Sequence, residues 1–165
     1  MRSSNPDVAS GRRNRRPDEL CELDKRIIEH LQQDGRRPFT QIAAVLGVSE
    51  AAVRARTNRL VERGIIQVVG VADPGKLGFQ QALIGIRCEP GRIVEVADAL
   101  AELQEVDYVV VTAGRFDILI EAVAEDNEGL LGFLNDRLQR IGGVRDTETF
   151  TYLRLVKQTY QYGTR

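Results

Sequence analysis

Residues 38–60 read Pro38-Phe39-Thr40-Gln41-Ile42-Ala43-Ala44-Val45-Leu46-Gly47-Val48-Ser49-Glu50-Ala51-Ala52-Val53-Arg54-Ala55-Arg56-Thr57-Asn58-Arg59-Leu60. Ile42, Val45 and Leu46 supply one short apolar face; Gly47 stands where a left-handed residue ends a helix; Ser49 can cap the next helix through its hydroxyl. Ala43 is small where a crossing helix would approach closely, and Val53 with Leu60 gives the second helix a buried stripe. Small residue, turn glycine, capping serine and buried valine in that order make a helix-turn-helix pattern. On the second helix Arg54, Arg56, Arg59 and Arg63 lie on or beside the face opposite Val53 and Leu60, with Glu50 and Asn58 among them. A guanidinium donates a fork of hydrogen bonds to phosphates or to the O6 and N7 edge of guanine, and the start of such a helix enters the major groove. The residues expected to meet double-stranded DNA are Arg36, Thr40, Ser49, Glu50, Ala51, Arg54, Arg56, Asn58 and Arg59.

Upstream, Leu23, Ile27, Ile28 and Leu31 recur at spacings of three and four, which predicts an amphipathic helix ending near Gly35. His30 lies beside that stripe and reads as a surface or half-buried helix residue without a catalytic partner. Residues 1–19 hold Ser, Asn, Pro, Gly and Arg with little apolar content, so they read as a disordered basic tail. Charge follows the same division: residues 1–67 carry 13 Lys+Arg against 9 Asp+Glu, and residues 68–165 carry 10 against 15. A basic half beside an acidic half places nucleic-acid contact at the basic end.

Downstream, the β-branched run Ile65-Ile66-Gln67-Val68-Val69-Gly70-Val71 predicts a strand, which Asp73-Pro74-Gly75 breaks into a hinge. From Gln80 the period becomes two: Ala82, Ile84, Ile86 and Cys88 alternate with Leu83, Gly85 and Arg87, so Cys88 is expected in the core. Ile93, Val96, Ala97, Leu100 and Leu103 then repeat at helical spacing. Strands over 106–112 and 117–123 flank the turn Ala113-Gly114-Arg115-Phe116 as a hairpin. Leu130, Leu134, Leu138 and Ile141 form a second helical stripe stopped by Gly142-Gly143, and Thr147 to Val156 alternates as a final strand. The order βαββαβ is the ferredoxin-like arrangement, a sheet with both helices on one face. The other face lacks a cover, and a sheet of this kind pairs with a copy of itself. The expected fold class is α+β, an N-terminal winged helix-turn-helix domain (20–67), a strand and hinge linker (68–79) and a ferredoxin-like domain (80–165).

An enzyme needs a nucleophile with its base, carboxylates paired in a cleft, or metal ligands. With one His, two Cys far apart, and Glu125, Asp126 and Glu128 accounted for by a helix start, the 165 residues offer no catalytic residues, metal site or cofactor motif. No apolar run reaches the ~20 residues of a membrane helix, and no signal-peptide core is present, so the expected location is the cytoplasm.

Over residues 23–157 the chain resembles the Lrp/AsnC family of transcription regulators. Leu23-Asp24-Lys25-Arg26-Ile27-Ile28 looks like the family's opening helix and Asp34-Gly35-Arg36 like the turn after it. Val48-Ser49 with Val53, Arg56, Leu60 and Gly64-Ile65-Ile66 is similar to its recognition helix and following strand. Thr112-Ala113-Gly114-Arg115-Phe116-Asp117 resembles its glycine-x-aromatic-aspartate turn, and Gly143-Val144-Arg145-Asp146-Thr147-Glu148-Thr149 its closing strand. The resemblance implies an amino-acid-sensing second domain, homodimers formed through the sheets, and assembly of dimers into tetramers or octamers. It places the effector at Gly114, Arg115, Phe116, Asp117, Arg145, Thr147 and Thr149: backbone N–H groups and Arg145 for the carboxylate, Asp117 or a threonine for the ammonium, Phe116 against the side chain. The competing reading is an architectural protein that wraps DNA with little sequence preference.

Overall fold

The computed structural model describes residues 20–158. The expected basic tail, 1–19, lies outside them. The described chain forms two compact units that divide after Val69.

The first unit has three helices, α1 (Glu22–Gln33), α2 (Phe39–Leu46) and α3 (Glu50–Glu62). Ile27, Ile42, Ala43 and Val53 form its centre, with Leu23, Leu31, Phe39, Leu46 and Val48 packed around them. The turn is built as the sequence predicts. Gly47 ends α2 at φ 67°, where a side chain would be strained, and the Ser49 hydroxyl accepts from the Ala52 amide at 3.2 Å. Thr57 joins Val53 and Leu60 on the buried face of α3, and its Oγ1 has no hydrogen-bond partner among the described residues. A buried hydroxyl left unbonded is destabilising, so the isosteric Thr57→Val should raise the stability of this unit by about 1 kcal/mol in thermal denaturation. A loss of stability instead would show that the hydroxyl is bonded.

Residues 65–71 form no strand, against the expectation from their β-branched composition. Val68, Val69 and Val71 are exposed, and no strand of the described chain pairs with the run. A ladder needs two sides, and composition supplies only one.

In the second unit, β1 (Gln80–Cys88), α4 (Ile93–Ala101), β2 (Val106–Val111), β3 (Ile118–Ala124), α5 (Asn127–Gly132) and β4 (Val144–Thr151) follow in the predicted βαββαβ order. The sheet is antiparallel in the order β2-β3-β1-β4. Ala82, Ile84, Ile86 and Cys88 on β1 face the helices with Ile118 and Ile120 on β3, and Val96, Leu100, Leu130, Phe133 and Leu138 close this core. Asp126 caps α5 through the Gly129 amide at 2.8 Å, which accounts for the acidic run there. Beyond α5 the predicted stripe changes form: a π turn (Phe133–Arg137) and a 3-10 turn (Leu138–Arg140) still bring Phe133 and Leu138 inward. The closing strand starts earlier than predicted and stops at Thr151, where pairing with β1 ends opposite Ala82.

Candidate functional site

Two surfaces carry the residues singled out in the sequence. The first surrounds α3. Ala51, Arg54, Asn58 and Arg59 are exposed, Glu50 is half-buried, Thr40 is exposed in the first turn of α2, and Ser49 is the cap. Arg36 is exposed, its amide donating to Asp34 Oδ1 at 2.9 Å. Arg54 is held on two sides, by Glu50 at 2.5 Å and by the Phe39 ring, 5.3 Å from the guanidinium.

Arg56 departs from the expected outward position. Its Nη1 donates to Asp24 Oδ1 at 2.8 Å and to Cys21 Sγ at 3.1 Å, tying α3 to the start of α1. Asp24 is buried; it also accepts from Cys21 Sγ at 3.0 Å, and Arg59 Nη2 lies 3.5 Å from its other oxygen. Burial alone would push the Asp24 carboxyl up, but hydrogen bonds from Cys21 and Arg56 and the charge of Arg56 outweigh it and hold the carboxyl below its ordinary range. The physical reason for the inward turn is position on the helix: Arg56 adjoins the Val53–Thr57–Leu60 stripe rather than opposing it. His30, read as partnerless, accepts from Arg37 through Nδ1.

The second surface is one end of the sheet. The turn after β2 is closed by Thr112 N–H donating to Asp117 O at 2.8 Å and by the Thr112 hydroxyl donating to Phe116 O at 2.6 Å. Asp117 Oδ2 accepts from the Cys88 amide at 2.8 Å, which leaves Oδ1 for another donor. Cys88 pairs with Val144, so the next residue, Arg145, arrives at the same end, where β4 bulges out of register. Burial and the nearby Asp117 charge push the Cys88 thiol up, while Arg145 acts in the opposite sense. Cys88 is thus a protonated core thiol, as its alternation in the sequence predicts.

The Phe116 ring lies flat on β1: a Cβ on Gly85 would sit 2.6 Å from it. Arg115 and Arg87 flank the ring at 5.4 and 6.0 Å, and they pair in turn with Glu148 at 2.9 Å and Asp146 at 2.7 Å. Gly114 is exposed and does not adopt a positive φ. Register separates the predicted set. Thr147 and Thr149 pair with Ile86 and Ile84 and so share the helix-side face, whereas Asp146 and Glu148 pair with Arg87 and Gly85 on the face that Phe116 covers. Arg115, Phe116 and Asp117 lie at this end of the sheet with Gly114 beside them in the turn; Arg145 enters the same end through the β4 bulge and its Nε lies 3.4 Å from Asp146 Oδ2; the two threonines face the other way. Asp146, Glu148, Arg87 and Gly85, which the sequence reading does not single out, surround the Phe116 ring and its flanking arginines; the alternation that puts Thr147 and Thr149 on one side of β4 puts the two acids on the other.

An AsnC-type helix-turn-helix domain matches residues 21–61, and an Lrp/AsnC ligand binding domain matches residues 81–162. The chain belongs to the Lrp/AsnC family. An uncharacterized HTH-type transcriptional regulator of Pyrococcus furiosus is 42% identical over 132 residues, covering 79% of this chain and 89% of that protein. Among solved structures of the Lrp/AsnC fold, Escherichia coli AsnC superposes with a TM-score of 0.72 at 25% identity, covering 87% of this chain and 98% of its own. A transcriptional regulator of Neisseria meningitidis, solved in complex with L-Met, gives 0.74 at 23%, covering 88% and 97%. This Lrp/AsnC chain is accordingly a transcriptional regulator with a DNA-binding helix-turn-helix and a ligand-binding domain. None of its helices, among the described residues, is long and apolar enough to cross a membrane.

Proposed function

We propose that the protein is a sequence-specific regulator, working in the cytoplasm, whose second unit senses an amino acid and controls assembly of homodimers into tetramers or octamers. The observation that carries this reading is an acceptor and a donor at one end of the sheet beside the Phe116 ring: Asp117 Oδ1, and Arg145, which enters at the β4 bulge with its Nε 3.4 Å from Asp146 Oδ2 and its other guanidinium donors left for a ligand. A zwitterion needs both signs of partner within a few ångströms. The related Neisseria protein holding L-Met supports an amino acid as the ligand. On the uncovered side of the sheet Leu83, Val110 and Leu119 are half-buried and Phe150 and Tyr108 exposed, a surface suited to a second copy.

The test is binding to the duplex upstream of its own gene against a scrambled duplex, at fixed salt, with and without each amino acid. One amino acid should shift duplex affinity, or the equilibrium constant between dimer and larger assembly, by about fivefold or more, the ordinary range of allosteric coupling. Indifference to all of them would reject the sensing role. Asp117→Asn separates charge from fold, since the amide oxygen can still accept from Cys88. It should weaken the responsive amino acid by about 10-fold or more while DNA binding persists, because a hydrogen bond to a charged group is lost. Calorimetric titration of the variant measures this, and unchanged affinity would remove Asp117 from the site.

A further inference from the structure

The arginines of α3 divide into two environments, and the division predicts how the helix reads DNA. Ala51, Arg54, Ala55 and Asn58 are all exposed and lie three and four residues apart, so they form one stripe opposite the buried Val53, Thr57 and Leu60. Arg56 and Arg59 lie on a flank, where they share the single carboxylate of Asp24. One carboxylate against two guanidiniums leaves that flank a positive charge. Arg54, by contrast, is charge-paired one to one with Glu50 and stacked on Phe39.

Charge decides phosphates, and donor pattern decides bases. A neutral Glu50–Arg54 pair gains little from a phosphate. It still offers a planar fork, because Glu50 takes one donor at Nη2 of the five that a guanidinium carries. The stack on Phe39 limits the rotamers that binding would have to freeze. The methyl groups of Ala51 and Ala55 beside it bring no donor or acceptor, only an apolar surface that matches the C5-methyl of thymine.

We propose that each α3 reads its half-site through one guanine, bound at O6 and N7 by Arg54, and neighbouring thymines, met by Ala51 and Ala55, while Arg59 contacts phosphate. The inference rests on the sequence-specific reading above and names the base chemistry of that same surface.

The experiment enriches bound duplexes from a randomised library with the full-length protein, then measures affinity on the enriched duplex across a range of salt. Changing the guanine to adenine should cost the wild type about tenfold or more and cost Arg54→Ala little, since a good bidentate contact discriminates by that order. Replacing the adjacent thymines by uracil should weaken wild-type binding about threefold per methyl, the order expected for one buried apolar carbon. Arg59→Ala should flatten the salt dependence by about one phosphate contact with base preference unchanged, and Arg54→Ala should leave the slope alone. If Arg54→Ala keeps the wild-type base preference, or flattens the slope as Arg59→Ala does, the assignment is overturned while sequence-specific binding stands. If the wild type binds duplex yet enriches no sequence, the sequence-specific reading falls and this assignment with it.

Discussion

Asp24→Ala should destabilise the helix-turn-helix unit by about 3 kcal/mol, the lower end of the cost of stranding one member of a buried ion pair. The lower end applies because Asp24 is almost fully buried while about a third of the Arg56 side chain remains exposed. Removing the carboxylate leaves Arg56 between α1 and α3 with only Cys21 Sγ for a partner, and it deletes the oxygen that accepts from Cys21 at the start of α1. For a unit of this size the loss is a large fraction of the total stability. Circular dichroism at the helical band follows it, and amide exchange along α3 assigns it to this unit. A variant that melts with the wild type would refute the strut.

The same group has a pH signature. Its carboxyl is held below the ordinary value in the folded chain, so its contribution is complete above that value and is lost as pH falls through the lowered one. The stability gap between wild type and Asp24→Asn should therefore be flat from neutral pH to about pH 5 and close below about pH 4, near the carboxylate's unperturbed range. A gap that instead closed between pH 6 and 8 would assign the effect to another group.

Gly85→Val acts on the other unit. The new side chain would need the space that Phe116 fills, with ring carbons 2.6 to 2.7 Å from the added Cβ. The ring must leave, and with it the stacks of Arg87 and Arg115. Overpacking of this kind costs about 2 kcal/mol, and ligand binding beside the displaced ring should be lost. A double-mutant cycle makes the claim specific: Phe116→Ala in the same chain vacates the space, so Gly85→Val should then cost at least about 1 kcal/mol less. Additive costs would mean that the ring and the glycine do not meet.

The parts legible in the sequence are those decided by near neighbours. Gly47, Ser49 and Val53 settle the turn between α2 and α3 within a few residues, and the alternation of Ala82, Ile84, Ile86 and Cys88 marks the face of β1 that meets the helices. Arg56 was misplaced because its partner, Asp24, is 32 residues away and only helix packing brings them together. The alternation of β4 separates Thr147 and Thr149 from Asp146 and Glu148, yet it takes the register against Ile84 and Ile86 to say which pair meets the helices. Residues 65–71 failed as a strand for a related reason: β-branched residues favour pairing but do not supply the second strand. Gly85 did carry a local signal, since a glycine inside a strand marks close approach by another group. What approaches it, Phe116, lies across the hairpin and could not be named from composition.

The two cysteines fall one to each unit, Cys21 at the mouth of the Asp24 corner and Cys88 beneath the sheet. The buried Cys88 thiol can react with an external reagent only as fast as the sheet unit opens, whereas the half-buried Cys21 thiol is held by Asp24 and Arg56 and reacts as that corner loosens. Their modification rates therefore run as two separate clocks in the unaltered protein, one timing excursions of the helix-turn-helix and the other excursions of the sheet. Adding duplex should slow the first, adding the amino acid should slow the second, and any slowing of the clock whose own unit received nothing measures directly how far one unit speaks to the other.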